Sequence, residues 1–421
     1  MPRTISSPTG DRVLVIGDDT RAFLATVRSL HRKGCEVHAL PFDAAAPALS
    51  SRAIRHVHDM APPAGRERAW AEDLARLARR HAFDLIVPCC ERSLIPIAAH
   101  RELFAGLTIS FPGEAALAHS LDKARFHELA GELGIPVAPG RRLEAGRETA
   151  AGLMAELGLP LVFREVSSYA PGRLDMRGQT VIARDRAALD TFLASVKPGQ
   201  SWHVTAYFPR RDGKAGKGQG VGVSVLADRG EVLLAFQHAR LREPDNGGGS
   251  SARIAEPLDA GLLAHVRRMC EALRLHGLAM FEFRRDVASG ESILIELNAR
   301  PWGSMPLAIR AGVDFPALLH ELLVRGRRPR QPDYRTGVVM RNLVLNLYDV
   351  HMRSSLPATR RIGETLAIAR DLSLAILLPE RTANGFDTIC PWDMTPAWME
   401  IVRLGHMYRK RRRALQVAHR R

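Results

Sequence analysis

Residues 279–300 read Ala-Met-Phe-Glu-Phe-Arg-Arg-Asp-Val-Ala-Ser-Gly-Glu-Ser-Ile-Leu-Ile-Glu-Leu-Asn-Ala-Arg. Apolar residues alternate with others on both sides of an Asp-Val-Ala-Ser-Gly connection, which predicts two strands joined as a hairpin. With Ser289 at its centre, Glu282 lies opposite Glu296, and Asn298 points from the same face. Phe281, Phe283, Ile293, Ile295 and Leu297 then point from the other face into a core. Two carboxylates about 5 Å apart between apolar neighbours repel each other, so a cation should offset them. Two carboxylates and an amide oxygen are hard ligands that suit Mg²⁺ bridging the phosphates of a nucleotide. A solvent-facing edge hairpin, with Arg284 or Arg285 pairing the acids, fits the same spacing. The spacing leaves both readings open.

Upstream of this hairpin the chain alternates strands and helices. Val13–Gly17 is an apolar run ending at a glycine, followed by a helical stretch from about Arg21 to Lys33 and a strand at Glu36–Leu40. Trp70–His81 is amphipathic, Asp84–Pro88 is a buried strand, and Leu94–Phe104 is helical. Strands this apolar are buried on both faces, as in a parallel sheet flanked by helices. Gly17-Asp18-Asp19-Thr20-Arg21 stands where a dinucleotide fold carries its glycine-rich turn, but it lacks the G-x-G-x-x-G spacing and its acids would repel a pyrophosphate. Further on, Arg210–Gly220 reads as a basic, glycine-rich loop, and Gly247-Gly248-Gly249 as a second one.

The chain has 421 residues and a formal net charge of +15, which raises the question of a nucleic-acid partner. Seven of those charges sit in the last thirteen residues, Arg409–Arg421, and the other +8 are spread along the chain. The basic residues are almost all arginine, with six lysines in total, which speaks for a general bias and against a groove built for phosphates. No specific nucleic-acid partner is expected. The tail reads as a solvated run, with a weak contact to anionic membranes as its alternative. Five scattered cysteines show no zinc spacing, no secretory signal is visible, and no apolar run approaches a membrane span, so a cytoplasmic protein is expected. A homo-oligomer is compatible with the sequence. Cys89-Cys90-Glu91 ends a strand at the edge where such sheets bind ligands; buried structural thiols are favoured over a nucleophile, and Glu91 is placed near a substrate.

Glu282…Glu296-Leu297-Asn298-Ala299-Arg300 resembles the metal-binding signature of the ATP-grasp superfamily, an E-x-N-x-R run after an earlier acidic ligand. The longer string Ile295–Pro316 resembles the carbamoyl-phosphate-synthase-like, carboxylate–amine ligase branch, with Ala299 where proline is usual. Asp122-Lys123 followed by Gly134-Ile135-Pro136-Val137 is similar to the entry into that family's nucleotide lobe, and Arg164 falls at its second basic position. Val204–Pro209 resembles the hinge strand whose backbone binds adenine, which would be the role of Ala206 and Phe208. His238, Arg240 and Arg242 resemble part of an R-x-x-x-P-x-x-G-G segment of related proteins, which leaves open a clamp on an acidic substrate or a surface salt-bridge role.

The resemblance implies an α/β plus α+β chain. A Rossmann-like parallel-sheet domain (1–115) precedes a two-lobed ATP-grasp domain (116–328, lid lobe about 120–200, metal lobe about 201–328). A C-terminal extension (329–408) and the basic tail (409–421) follow. It also implies ATP and Mg²⁺ (or Mn²⁺) as cofactors, with Glu282, Glu296 and Asn298 as metal ligands. Lys123 and Arg164 would neutralise the phosphates, and Arg300 would stabilise the transferring group. The substrates would be a small carboxylate, activated as an acyl phosphate, and an amine. The chain departs from the family after Arg164, where Glu165–Arg173 holds a single glycine instead of a glycine-rich phosphate loop. That departure motivates the alternative of a regulatory or scaffold protein that binds nucleotide without turnover.

Overall fold

The computed structural model describes residues 10–405 apart from 145, 147, 168, 170–173, 175–177, 198, 212–213, 244–249, 349, 351–356 and 378–383. The basic tail, most of the segment after Ser167 and the Gly247-Gly248-Gly249 loop lie outside the described residues.

The first sheet is four parallel strands in the order His56–Val57, Glu36–Leu40, Arg12–Ile16, Leu85–Pro88. Val13–Ile16 and Leu85–Val87 are fully buried, as a parallel sheet covered on both faces requires. Helices Ala22–Arg32, Glu67–His81 and Glu91–Ala99 flank it. The helix Glu67–His81 ends without a glycine, because Ala82 itself takes the left-handed conformation at φ 48°. Where a dinucleotide fold would offer free N–H groups, the Asp19 carboxylate accepts from the N–H groups of Arg21, Ala22 and Phe23. Asp18 does the same for Phe42 and Asp43.

A second, antiparallel sheet runs Gly140–Glu144, Ser201–Ala206, Leu161–Glu165, Thr180–Ala183, with helices Ala150–Leu157 and Arg186–Ser195 packed around Phe163, Phe192 and Trp202. Ser201–Ala206 thus belongs to the lid sheet, on the far side of the boundary expected near residue 200.

The third sheet carries the hairpin. Its order is Ser292–Asn298, Gly277–Asp286, Gly218–Asp228, Glu231–Arg242, Ala252–Glu256, Val339–Arg341, Gly385–Phe386, antiparallel except for the last pair. Two of these strands come from the segment after residue 328. The expected loop at Arg210–Gly220 is instead a short antiparallel pair, Arg210–Arg211 with Lys214–Ala215, followed by the start of the strand Gly218–Asp228. The C-terminal segment is clamped on both sides by buried ion pairs. Arg28 Nε donates to Asp393 Oδ2 at 2.8 Å, and Arg253 pairs with Asp387 through both carboxylate oxygens. Among the described residues no helix is long and apolar enough to cross a membrane.

Candidate active site

The hairpin register sets Glu282 against Glu296 and Met280 against Asn298. A bulge beyond Glu282 pairs Phe283 with Leu294 and leaves Ile295 as the extra residue. The inward set is therefore Phe281, Phe283, Leu294 and Leu297; Ile293 and Ile295, expected in that core, stand apart from it. The bulge turns the Ile295 carbonyl outward, where Arg164 Nη1 donates to it at 3.3 Å and ties the lid strand to the hairpin.

Asn298 Nδ2 lies 3.4 Å from Glu282 Oε1 and 3.3 Å from Glu296 Oε1, so one amide group bridges both acids. Its Oδ1 accepts from Arg300 Nη2 at 3.2 Å. Arg300 Nε donates to Glu91 Oε1 at 2.8 Å and Nη1 to the Pro301 carbonyl, so that the bonds among the described residues leave two of its five N–H groups for another acceptor. Glu91 comes from the first domain, at the start of the helix after Leu85–Pro88, so this residue expected beside the substrate holds Arg300. The buried guanidinium stays charged, because Glu91 outweighs desolvation and raises its pKa.

Glu282 is held on its other side by Arg240, whose Nη2 lies 2.6 Å from Oε2. Glu243 accepts from Arg240 at 3.2 Å and from Arg284 at 2.6 Å. Arg285 pairs with Glu256, and Arg242 with Glu364, so neither joins the acid pair. Arg240 reaches Glu282 across an intervening strand. Gly218, Gly220 and Gly222 alternate on that strand's face beneath the crossing side chains. A Cβ at Gly220 would stand 2.5 Å from Arg240 Cδ, and one at Gly222 would stand 2.2 Å from His238 Cε1. Gly218 and Gly220, which read as a loop, join Gly222 as a channel for side chains. That alternation was the available signal for Arg240, since no local spacing links residues 240 and 282.

Burial raises the Glu282 carboxyl above its ordinary range; Arg240 pulls against that shift and the Glu296 carboxylate adds to it. Lys123 opens the helix Lys123–Glu132, and its Nζ donates to the Glu165 carbonyl at 3.3 Å. Burial lowers the Lys123 ammonium, against the pull of Glu296, and likewise lowers Arg164, against Glu296 and Glu282. Arg164 Nε is buried with no acceptor among the described residues. His203 is the strand partner of Arg164, and neither of its ring nitrogens has a hydrogen-bond partner among the described residues. Burial, then Arg164, pushes His203 down to about 2. His203 was not anticipated, because a lone histidine in a strand carries no motif.

Lys123, Arg164, Glu282, Glu296, Asn298 and Arg300 are thus gathered where the lid sheet meets the hairpin. The hinge residues lie along the strand that carries His203: Ala206 N–H donates to the Pro139 carbonyl at 2.8 Å and Tyr207 N–H to Pro160. No acceptor among the described residues takes the Phe208 N–H. Cys89 and Cys90 lie near Arg300 but are unsuited to attack: burial raises both thiols, Cys90 to about 11.

The residue set fits a divalent cation on the carboxylate side. Two acids, one with a raised pKa, already draw a bridging N–H₂ and a guanidinium into the space between and beside them. The amide of Asn298 presents nitrogen to the acids, and its oxygen reaches a shared ion only after a half-turn. Buried arginine and histidine nitrogens without acceptors on the facing lid fit an anion there.

Residues 217–344 match the family model described as ATP-grasp in the biosynthetic pathway with Ter operon. The large chain of carbamoyl phosphate synthase from Thermus thermophilus is 26% identical over 296 residues, covering 66% of this chain; the chain spans about a quarter of that relative, 27%. Among solved structures, N5-carboxyaminoimidazole synthetase from Staphylococcus aureus complexed with ADP superposes with a TM-score of 0.60 at 16% identity, over 85% of this chain and 87% of that one. The biotin carboxylase domain of 2-oxoglutarate carboxylase from Hydrogenobacter thermophilus, in complex with MgADP and bicarbonate, gives 0.56 at 17% identity, over 77% and 73%. The hairpin that carries the acids lies wholly inside the matched family segment, and the parallel sheet, lid and acidic sheet follow in the same order as the sequence implied. Residues 217–344 thus match an ATP-grasp family model, the chain as a whole shares the fold of the ATP-grasp neighbours, and its sequence resembles the carbamoyl-phosphate-synthase-like, carboxylate–amine ligase branch.

Proposed function

We propose that this chain is a magnesium- and ATP-dependent ligase that activates a carboxylate as an acyl phosphate for attack by an amine. The observation that carries this reading is the facing pair Glu282 and Glu296, bridged by Asn298, with Arg164 and Lys123 near enough to feel their charge. The acids suit a cation and the basic side chains an anion, which is the division a metal–nucleotide complex needs. The presence of ADP in the Staphylococcus structure, and of MgADP with bicarbonate in the Hydrogenobacter one, supports the same division here.

Glu282, Glu296 and Asn298 would hold Mg²⁺, which when bound neutralises charge on the β- and γ-phosphates. Phe208 N–H, with the hinge backbone at Ala206, would receive adenine. Arg164 Nε and Lys123 Nζ point positive charge at the phosphates from the lid, in a setting dry enough to strengthen that charge. The carboxylate substrate attacks the γ-phosphorus, the bond to ADP breaks, and the two remaining N–H groups of Arg300 face the oxygens of the acyl phosphate. The amine then displaces phosphate. Positioning and charge do the work, and no side-chain nucleophile is needed.

The test is ADP release by the purified chain against pooled carboxylates, bicarbonate included, each with and without pooled amines. Carboxylate-dependent ADP release that disappears in Glu296→Gln, with a native circular-dichroism spectrum, is the expected result. A chain that binds Mg-ADP yet releases no ADP across the whole screen would be the nucleotide-binding regulatory or scaffold protein instead.

A further inference from the structure

Four of the sixteen histidines gather at one corner of the first domain, far along the chain from the acids of the hairpin. His38 lies in the strand Glu36–Leu40, His58 directly follows the strand His56–Val57, and His81 is the last residue of the helix Glu67–His81. The fourth, His56, has its ring centroid 4.5 Å from that of His58. One ring nitrogen from each of His38, His58 and His81 lies within 4.8 Å of the others. His38 Nδ1 and His58 Nε2 are 2.9 Å apart. Phe83 closes one side, its ring edge-on to His38 at 5.0 Å.

We propose that His38, His58 and His81 form a binding site for a divalent transition metal ion of the zinc class. Imidazole is the side chain such ions choose, and three converging ring nitrogens from three separate elements are a ligand set. The second feature is Glu36. Its Oε1 lies 3.0 Å from His38 Nε2 and takes the proton there, which puts the lone pair on Nδ1, the atom that faces His58. A carboxylate that fixes the far nitrogen of a ligating histidine is how metal-binding imidazoles are oriented. His38 and His58 are each 6% exposed, so water does little for them. Arg12, Arg55 and Arg80 stand nearby and oppose a cation, but Arg12 is engaged 3.5 Å from Glu36.

The site has a structural rationale of its own. His56–Val57 is a two-residue strand at the sheet edge, joined only to Glu36–Leu40. An ion shared by His38, His58 and His81 would fasten that edge to its neighbouring strand and to the helix end at once.

The test uses the full chain without an affinity tag, stripped with chelator and titrated with Zn²⁺ and with Co²⁺ as a visible probe. Wild type is expected to take up one tight equivalent per chain, to show Co²⁺ absorption bands of low coordination number, and to melt at a higher temperature with Zn²⁺. His81→Gln, at a half-buried position that tolerates change, should weaken binding at least about 100-fold, and Glu36→Gln about 10-fold. Glu296→Gln should leave the equivalent intact, which separates this site from the proposed nucleotide site. Retention of the tight equivalent in a folded His81→Gln, its loss in Glu296→Gln, or a wild-type affinity weaker than about 10 μM would each overturn the proposal.

Discussion

Arg240 Nη2 lies 2.6 Å from Glu282 Oε2, and the two side chains meet across a strand to which neither belongs. Both are largely out of solvent, at 14% and 18% side-chain exposure. The guanidinium offsets the charge of an acid whose strand partner is another acid. In Arg240→Met, Glu282 faces Glu296 with no cation beside it, and breaking such a pair costs about 3–5 kcal/mol. The melting temperature should fall, and Mg-ADP should restore more of it than it adds to wild type. Equal Mg-ADP stabilisation of both proteins would show that Arg240 does not share the acids with the metal.

The raised pKa of Glu282 has a definite sign. The folded chain holds this proton more tightly than the unfolded chain, whose carboxyl titrates near 4.5. The stability contributed by Glu282 is thus complete below about that value and is lost as pH rises through the raised one. Without divalent ions, the melting temperature of Glu282→Gln relative to wild type should rise from about pH 4.5 to about pH 7.5, on top of a pH-independent loss from giving up the bond to Arg240. A relative melting temperature that falls over that range would reverse the assignment. With Mg-ATP present the same variant should have lost turnover.

Gly220 is placed where even a methyl group would strike Arg240 Cδ at 2.5 Å and Glu243 Oε1 at 2.6 Å. Gly220→Val adds two β-branch methyls beneath that pair. It should disconnect Arg240 from Glu282 without touching either acid, and so should copy the melting and Mg-ADP behaviour of Arg240→Met. Gly65, with open space around it, is the control: Gly65→Ala carries only the strain of φ 73° and should leave Mg-ADP stabilisation unchanged.

Arg300 receives Glu91 on Nε and keeps two N–H groups in reserve. Arg300→Lys retains the charge but loses the fork, so kcat should fall about 100-fold while KM for ATP moves little. Glu91→Gln leaves Arg300 charged but loosely held, and a fall of about 10-fold in kcat is expected. Steady-state kinetics on the carboxylate found by the screen separate the two. A rise in KM for ATP with kcat intact would place Arg300 in nucleotide binding.

The acid pair was legible in the sequence because period-two alternation and a short turn set the register of a hairpin through neighbouring residues alone. The bulge at Ile295 was not, since nothing local marks which residue of Ile293–Ile295 is extra; the lid residue Arg164, 131 positions away, makes use of it. The parallel sheet could be read from its continuous apolar strands, whereas Val339–Arg341 and Gly385–Phe386 are too short to carry a period. Gly218 and Gly220 read as a loop because glycine signals a missing side chain without saying whose side chain fills the space. His38, His58 and His81 follow no ligand spacing, and their convergence exists only once a strand, a strand edge and a helix end have been packed together.

The ion pair of Arg28 with Asp393 sets an order on how the chain is made. Arg28 lies in the helix Ala22–Arg32, is 5% exposed, and finds its carboxylate 365 residues later. Ser51 Oγ and the Arg52 N–H wait for the same Asp393, at 2.6 and 2.9 Å. Until that residue emerges, the first domain carries a guanidinium site it cannot close, and the buried arginine must stay in water. Synthesis therefore proceeds with the parallel-sheet domain held open until Asp393 is made, and a nascent chain cut short before that residue leaves the Arg28 site of that domain unclosed.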